Sequence, residues 1–418
     1  VPAVVLGTDV FAILARESAA ALGVPHLAVA TVPHPLGGLD PRLMSAKAAG
    51  VIERVVALLT TDPDAPATGA ASASTVVKAP DDLDEFQEFA MAEEWGDGLP
   101  VLPPTPERVE RILGAWASRR HEIAATLAPR MAEATIEAIA VNAALAGAGP
   151  EHLPIIVAAL VAMTRPEFNL KGIQTTTHPC GPLVIVNGPI AKRLGVAGGP
   201  NALGGGSRAN AVIGRAVRLA LINVGGARPG TVDRATLGHP GKYTYCLAEN
   251  EEASPWEPLH VERGFRADES CVTVCAAEGP HNVNDHGSTS AEGLLCALAG
   301  TAATTGNNNI YYAGGQPLVA LGPEHARTIA DSGWSKQDFK RAFWERARVP
   351  IRRFNPENLV RFAAIDPARF QDAPPDREVA LCATPDELIV LVAGGPGKHS
   401  VVIPTFGATR SVTARVGA

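Results

Sequence analysis

Short apolar runs separated by amphipathic stretches set the rhythm of this chain. A run at Ala3–Gly7, a helical pattern at Val10–Leu22, a second run at Leu27–Val32 and a helix over about Arg42–Leu59 give β-α-β-α spacing. That spacing predicts a parallel sheet covered by helices. Two parallel strands leave both faces and both edges open. Completing strands are therefore expected upstream of Val1 or from another chain, as a homo-oligomer or companion subunit. Residues 61–80 (TDPDAPATGAASASTVVKAP) carry no periodicity and read as a linker. Beyond them, apolar residues three and four apart predict helices at Asp84–Glu94, Pro106–Arg119, Ile123–Leu127, Glu133–Ala146 and His152–Met163. From Pro182 the texture changes to short apolar runs at 183–186, 243–248, 271–276, 317–321, 377–382 and 388–393. Helices are expected between them at Arg208–Asn223, Ala291–Thr305, Pro323–Ser332, Lys336–Val349 and Pro356–Ala363. The expected fold is α/β: an incomplete N-terminal parallel βαβα unit (1–60), a linker (61–80) and a larger mixed α/β domain (81–418). That larger domain has a helical N-terminal part and carries the site.

Composition narrows the partners. With 46% hydrophobic and 19% charged residues among 418, the chain is ordinary globular protein. A net charge of −7, with no basic cluster interleaved with aromatics, argues against nucleic acid. The longest apolar run, Leu153–Met163, is too short to span a bilayer. No secretory signal pattern opens the chain, and six cysteines without a C-x-x-C pair fit a reducing, cytoplasmic setting. The expected partner is a small molecule; no cofactor is named by any motif.

Chemistry concentrates between Gln174 and Gly287, which hold five of the eleven histidines and four of the six cysteines. In TTTHPCGP (175–182), Cys180 is the candidate nucleophilic thiol and His178 its activator, because a neighbouring imidazole lowers a thiol pKa. In GHPGKYTYCLAENEEASPW (238–256), His239 and Lys242 precede an apolar run, and Glu249, Glu251 and Glu252 follow it. This pattern suits a general acid and base or a His–carboxylate metal site. GPHNVNDHG (279–287) adds His281 and His286, at a spacing that fails the H-E-x-x-H test. The alternative metal set is His239, Glu249, His281 and His286. Gly204, Gly205, Gly206, Ser207 and Arg208 form a Gly-rich entry to a helix, which with Lys242 and Lys398 could hold an anion. Neither Walker nor dinucleotide spacing is met. Cys271 and Cys275 share a strand face about 13 Å apart, too far to bridge, and belong in the core. LGHPGKYT (237–244) and AGGPGKHS (393–400) echo one another and suggest an internal duplication.

PAVVLGTDVFAILAR and VPHPLGGL in the first 60 residues resemble the UGSC family of thiol and selenoproteins, named for a selenocysteine-Gly-Ser-Cys motif. EEWGDGLPVLPPT, GIQTTTHPCGPLVIVNGP, NVGGARPG, LGHPGKYTYCLAENEEASPWEPLHVERGF and GWSKQDFKRAFWERARVP resemble the region fused to that domain in long members. The resemblance implies thiol- or selenol-based redox or sulfur chemistry. The namesake motif would precede Val1, so no residue here inherits its role. The leading expectation is a soluble enzyme of thiol chemistry on a small anionic substrate. The alternatives are a metal-dependent hydrolase or lyase and a non-enzymatic ligand-binding module.

Overall fold

In the computed structural model, which describes residues 3–37, 39–60, 76–312 and 314–417, the first two apolar runs form parallel strands β1 (Val4–Thr8) and β2 (Ala28–Val32). Helices α1 (Ala12–Ala21) and α2 (Pro41–Thr60) follow them. Ala30, Val32 and Val51 are buried together between sheet and helix, while Leu6 on β1 stays 52% exposed. The expected linker falls mostly outside the described residues. Next come α3 (Leu83–Ala92) and α4 (Pro106–Leu113), N-capped by Asp82 and Thr105. Ile123–Leu127 departs from the expected helix: it is strand β3, paired antiparallel with β4 (Ala132–Thr135). Positions i and i+4 share a face under either period, so a five-residue window cannot separate helix from strand. Burial of Ala125 and Leu127 around an exposed Thr126 is strand alternation. Helix α5 (Ile136–Leu145) consequently starts three residues later than expected, with Thr135 Oγ1 accepting from Ala138 N at 3.1 Å.

The described residues divide into two compact units, one of Val1–Gly147, Leu170–His178 and Leu219–Thr236, the other of Ala148–Asn169, Pro179–Arg218 and Leu237–Ala418. After α6 (Leu153–Met163) and the short α7 (Leu170–Gln174) come β5 (Gly181–Asn187), α8 (Pro189–Leu194), α9 (Arg208–Asn223) and β6 (Cys246–Ala248). The chain continues through α10 (Leu259–Glu262), β7 (Cys271–Ala277), β8 (His281–Asn284), α11 (Ala291–Ala302), α12 (Asn308–Tyr312) and β9 (Leu318–Leu321). Helices α13 (Pro323–Asp331) and α14 (Lys336–Arg346), strand β10 (Arg348–Pro350), α15 (Pro356–Ile365) and α16 (Pro367–Phe370) follow. Strands β11 (Glu378–Ala380), β12 (Ile389–Val392), β13 (His399–Ile403) and β14 (Val412–Arg415) come last. No described helix is long and apolar enough to cross a membrane on its own.

Two four-stranded sheets dominate the second unit, ordered β14-β7-β5-β6 and β8-β13-β9-β12. Their pairings match strand for strand. In each, a central strand has a parallel edge partner (β5 with β6, β9 with β12) and an antiparallel neighbour (β7, β13). That neighbour pairs antiparallel with an outer strand, β14 or β8. The outer strands are exchanged: β8 follows β7 in sequence but joins the second sheet, and β14 follows β13 but joins the first. The two crossings meet where Ala277 bridges Thr405, with Glu278 N donating to Pro404 O and Phe406 N to Ala276 O, each 2.9 Å.

Period-two burial explains the layering. Leu183, Ile185 and Cys275 of the first sheet pack with Leu318, Ala320, Ile389, Leu391 and Ile403 of the second. Val319, Leu321, Val390 and Val392, on the opposite face of the second sheet, pack against α11, α13 and α14 through Leu294, Ile329, Phe339 and Phe343. The all-apolar α6 lies against β7 and β14. Fully burying each such side chain contributes about 2 kcal/mol. Cys271 and Cys275 are free and buried, as expected.

A repeated strand arrangement shows in the topology, but the Gly-x-Pro-Gly-Lys echo does not mark it. Residues 237–244 precede β6, whereas 393–400 connect β12 to β13, so the two copies sit at different places in their halves. LVIVNGP (183–189) and LVALGP (318–323) hold the matching positions, each ending a central strand in Gly-Pro at a helix start.

Candidate functional site

The polar groups of the second unit gather where the parallel strands β5 and β6 end, the edge at which open α/β sheets bind ligands. Asn187 closes β5 and Glu249 follows β6, both buried. Asn187 Nδ2 donates to Glu249 Oε2 (2.7 Å) and to Glu251 Oε1 (2.9 Å). These two carboxylates fix the amide with its nitrogen towards them, leaving Oδ1 turned away. Glu249 Oε2 also accepts from Leu259 N (2.8 Å), and Glu251 Oε1 from Gly188 N (2.7 Å). His260, at 0% exposure, places Nδ1 3.9 Å from Glu251 Oε1.

Backbone geometry makes this cluster possible. Gly188 has φ +80°, and a Cβ there would stand 2.1 Å from Glu269 O, so the turn that aims its N–H at Glu251 admits only glycine. A Cβ on Gly198 would lie 2.6 Å from Ala248 O, which brings the Gly-rich loop across the end of β6. The loop 394–395 closes the rim from the other half, with Gly394 N donating to Gly198 O (2.8 Å) and Asn250 Nδ2 to Gly394 O (3.2 Å).

Four buried polar atoms of this cluster have no hydrogen-bond partner: Asn187 Oδ1, Glu249 Oε1 and both ring nitrogens of His260. Leaving a buried polar atom unpaired costs about 1–3 kcal/mol. Each such group in a native structure calls for an explanation, with strain, a catalytic role and a bound water or ion among the candidates. Burial pushes the Glu249 carboxyl up to about 7, against the opposing pull of Lys336 and the hydrogen bonds from Leu259 and Asn187. Beside it Lys336 Nζ donates to Glu257 O (2.7 Å) and Glu262 Oε2 (3.0 Å), and Lys340 Nζ to Glu262 Oε1 (2.7 Å). Burial alone would raise Glu262, but the two lysines outweigh it and hold the carboxyl below its usual range.

The other sequence candidates are dispersed. Cys180 is buried just before β5, and its carbonyl accepts from Lys242 Nζ at 3.2 Å. Six residue steps, about 20 Å, separate that end of β5 from Asn187. His178 belongs to the first unit and Cys180 to the second. His239 is held by backbone, Nδ1 accepting from Gly241 N (3.1 Å) and Nε2 lying 3.3 Å from Ala277 O. His281 begins β8 in the second sheet, and the exposed His286 meets His399 edge-on at 5.3 Å. Among the described residues no group of three or more His, Cys, Asp or Glu could hold a metal ion, so His239, Glu249, His281 and His286 form no ligand set. The anion candidates also serve separate places. Ser207 Oγ donates to Gly195 O (3.0 Å) and accepts from Asn210 N (3.3 Å) at the start of α9, beside Arg208 and after Gly204, Gly205 and Gly206. Lys398 Nζ donates to His286 O (3.1 Å). Asn187 and His260 were missed. Their signal was a polar residue ending an otherwise apolar strand, and an imidazole eight residues past Glu252.

Residues 1–61 match the UGSC family. No curated protein matches the chain, and no solved structure does. The UGSC segment holds the β1-α1-β2-α2 unit, and it too gathers polar groups at the carboxyl ends of its strands. Thr8 Oγ1 lies 3.2 Å from His34 Nδ1, and Asp9 Oδ1 accepts from His34 N at 3.0 Å. Lys47 Nζ donates to Pro33 O (2.7 Å) and Pro35 O (2.8 Å), tying α2 of the UGSC segment to the loop after β2.

Proposed function

We propose that this protein is an enzyme acting on a small molecule by proton transfer through Glu249. The observation that carries this reading is a carboxyl near pKa 7 whose Oε1 is buried and unpaired beside the unpaired Asn187 Oδ1 and the ring nitrogens of His260. A general acid or base works best with a pKa close to the operating pH. Asn187 and Leu259 N hold Oε2, leaving Oε1 to take up or return the proton. Glu251, its side chain 28% exposed, lies on the solvent side of the cluster, where a substrate would enter.

The test is twofold. In protein labelled at Glu Cδ, one carboxyl should titrate near pH 7 and vanish in Glu249→Gln; a Glu249 titrating near 4 would overturn the reading. Incubation with a metabolite extract should reveal compounds consumed by the wild type and spared by Glu249→Gln. Equal consumption by both would also overturn it.

Thiol or selenol chemistry in a cytoplasmic setting is a second reading, favoured by the UGSC match of residues 1–61. Within the chain Cys180 is its thiol. Alkylation across a pH series decides it: an ordinary thiol profile, with no activity lost in Cys180→Ala, removes that role.

A further inference from the structure

We propose that helix α2 is the interface of a homodimer, packed antiparallel against α2 of a second copy of this chain. The proposal rests on the first unit and is independent of the reading of Glu249.

Helix α2 carries two stripes. Val51 is buried against the sheet with Ala30 and Val32, and Val55 and Leu58 pack beside it. About a third of the way round the helix, at 100° per residue, runs a second row: Arg42, Ser45, Ala49, Ile52, Val56 and Leu59. Its 3-4-3-4-3 spacing is the repeat by which one helix meets another along a seam. All six residues are exposed, Ile52 at 57% and Val56 at 53%. A contiguous exposed apolar row marks an interaction surface.

The row names its partner because it complements itself when reversed. Its amino-terminal half is small (Ser45, Ala49) and its carboxyl-terminal half large (Ile52, Val56, Leu59). With two copies antiparallel, Ala49 faces the partner's Ile52, Ser45 the partner's Val56 and Arg42 the partner's Leu59. Large side chains then enter the gaps left by small ones, as close helix packing requires. Arg42 also reaches the carboxyl end of the partner's helix, where a cation is favoured. A parallel pairing would set each large residue against its own copy, leave the small half as a gap and bring two Arg42 side chains together. A helix pair of this length lies near the lower end of specific interfaces, roughly 1,000 Å², so the dimer should be micromolar.

Sedimentation velocity of the full chain, from about 1 to 100 μM, should show a monomer–dimer equilibrium. Ile52→Glu combined with Val56→Glu should weaken it at least about a hundredfold and leave the far-UV circular dichroism unchanged, since both positions are exposed. Disulfide trapping tests the register in a Cys296→Ser background, which removes the exposed native thiol. Ala49→Cys chains mixed with Ile52→Cys chains should cross-link to each other, and Ala49→Cys alone should not. A monomer at every concentration would overturn the proposal and leave the row to a different partner. A dimer that survives the two glutamates would overturn it as well. Cross-linking of Ala49→Cys with itself would overturn the antiparallel pairing.

Discussion

The carboxyl ends of the two central strands, β5 and β9, begin alike and finish differently. Each strand runs into Gly-Pro and a helix, and each glycine is pressed against the antiparallel neighbour, 2.1 Å from Glu269 O for a Cβ on Gly188 and 2.2 Å from His399 O for Gly322. Each turn is also pinned by a serine, Ser270 Oγ accepting from Ile190 N and Ser400 Oγ from Gly322 N. Beyond that shared frame, the second sheet completes its polar groups. Ser400 Oγ lies 2.8 Å from His325 Nδ1, and His325 Nε2 lies 3.0 Å from Asp285 O, so both nitrogens of this buried imidazole have partners. Where the first half has Asn187 and Glu249, the strands of the second half end in Leu321 and Val392. One end is finished as structure; the other is left under-satisfied, as a site that expects company would be. The same scaffold occurs twice, and among the described residues only one copy keeps unpaired buried acceptors.

Three measurements can break or sharpen this contrast. The largest effect concerns what the halves share. Gly188→Ala and Gly322→Ala should each cost about 4 kcal/mol or more in urea unfolding, or prevent folding. Gly188 also has φ +80° whereas Gly322 has φ −62°, so a tolerated Gly322→Ala would mean that the close approach to His399 O alone does not demand glycine. A smaller effect separates them by pH. The folded Glu249 sits near 7, above its unfolded value of about 4.3, so protonation favours the folded state. Stability from this group is full below about pH 4 and falls, by an amount on the order of 3 kcal/mol, as pH rises to 8. Glu249→Gln should flatten that slope; an unchanged slope would count against a protonated Glu249. The smallest effect has the opposite sign. Burial lowers His325, so its contribution is present above the unfolded value of about 6.5 and lost as pH falls below it. His325→Leu should cost about 1–2 kcal/mol at pH 8 and less at pH 5. A cost independent of pH would mean that the imidazole is not held neutral.

Much of the fold was legible because apolar periodicity records burial. The runs at 183–186, 271–276, 317–321 and 388–393 became strands, and most helices start at the predicted residue or within one of it. What escaped did so for identifiable reasons. Ile123–Leu127 is too short for the two periods to diverge. Strands β8 (HNVN) and β14 (VTAR) form no apolar run, and each lies at the outer edge of a sheet whose other strands come from the other half. The site was legible as a neighbourhood: Glu249 was named, and Glu251 was seen beside it. The partition was not. Nothing in the spacing of Cys180, His239 and Glu249 reveals that β5 and β6 carry them to opposite ends of a sheet. Asn187 has a plainer sequence context than any of these, yet it joins both carboxylates.

The exchange of outer strands has a consequence for how the chain is made. A ribosome delivers β5, β6 and β7 more than a hundred residues before β14. Until Arg415 emerges, β7 has an open edge and α6 lacks half of the surface it packs on. The first sheet cannot close until β14 is made, however early its other strands appear, and each half without the other lacks its outer strand. The strand that completes the first half is made after every strand of the second.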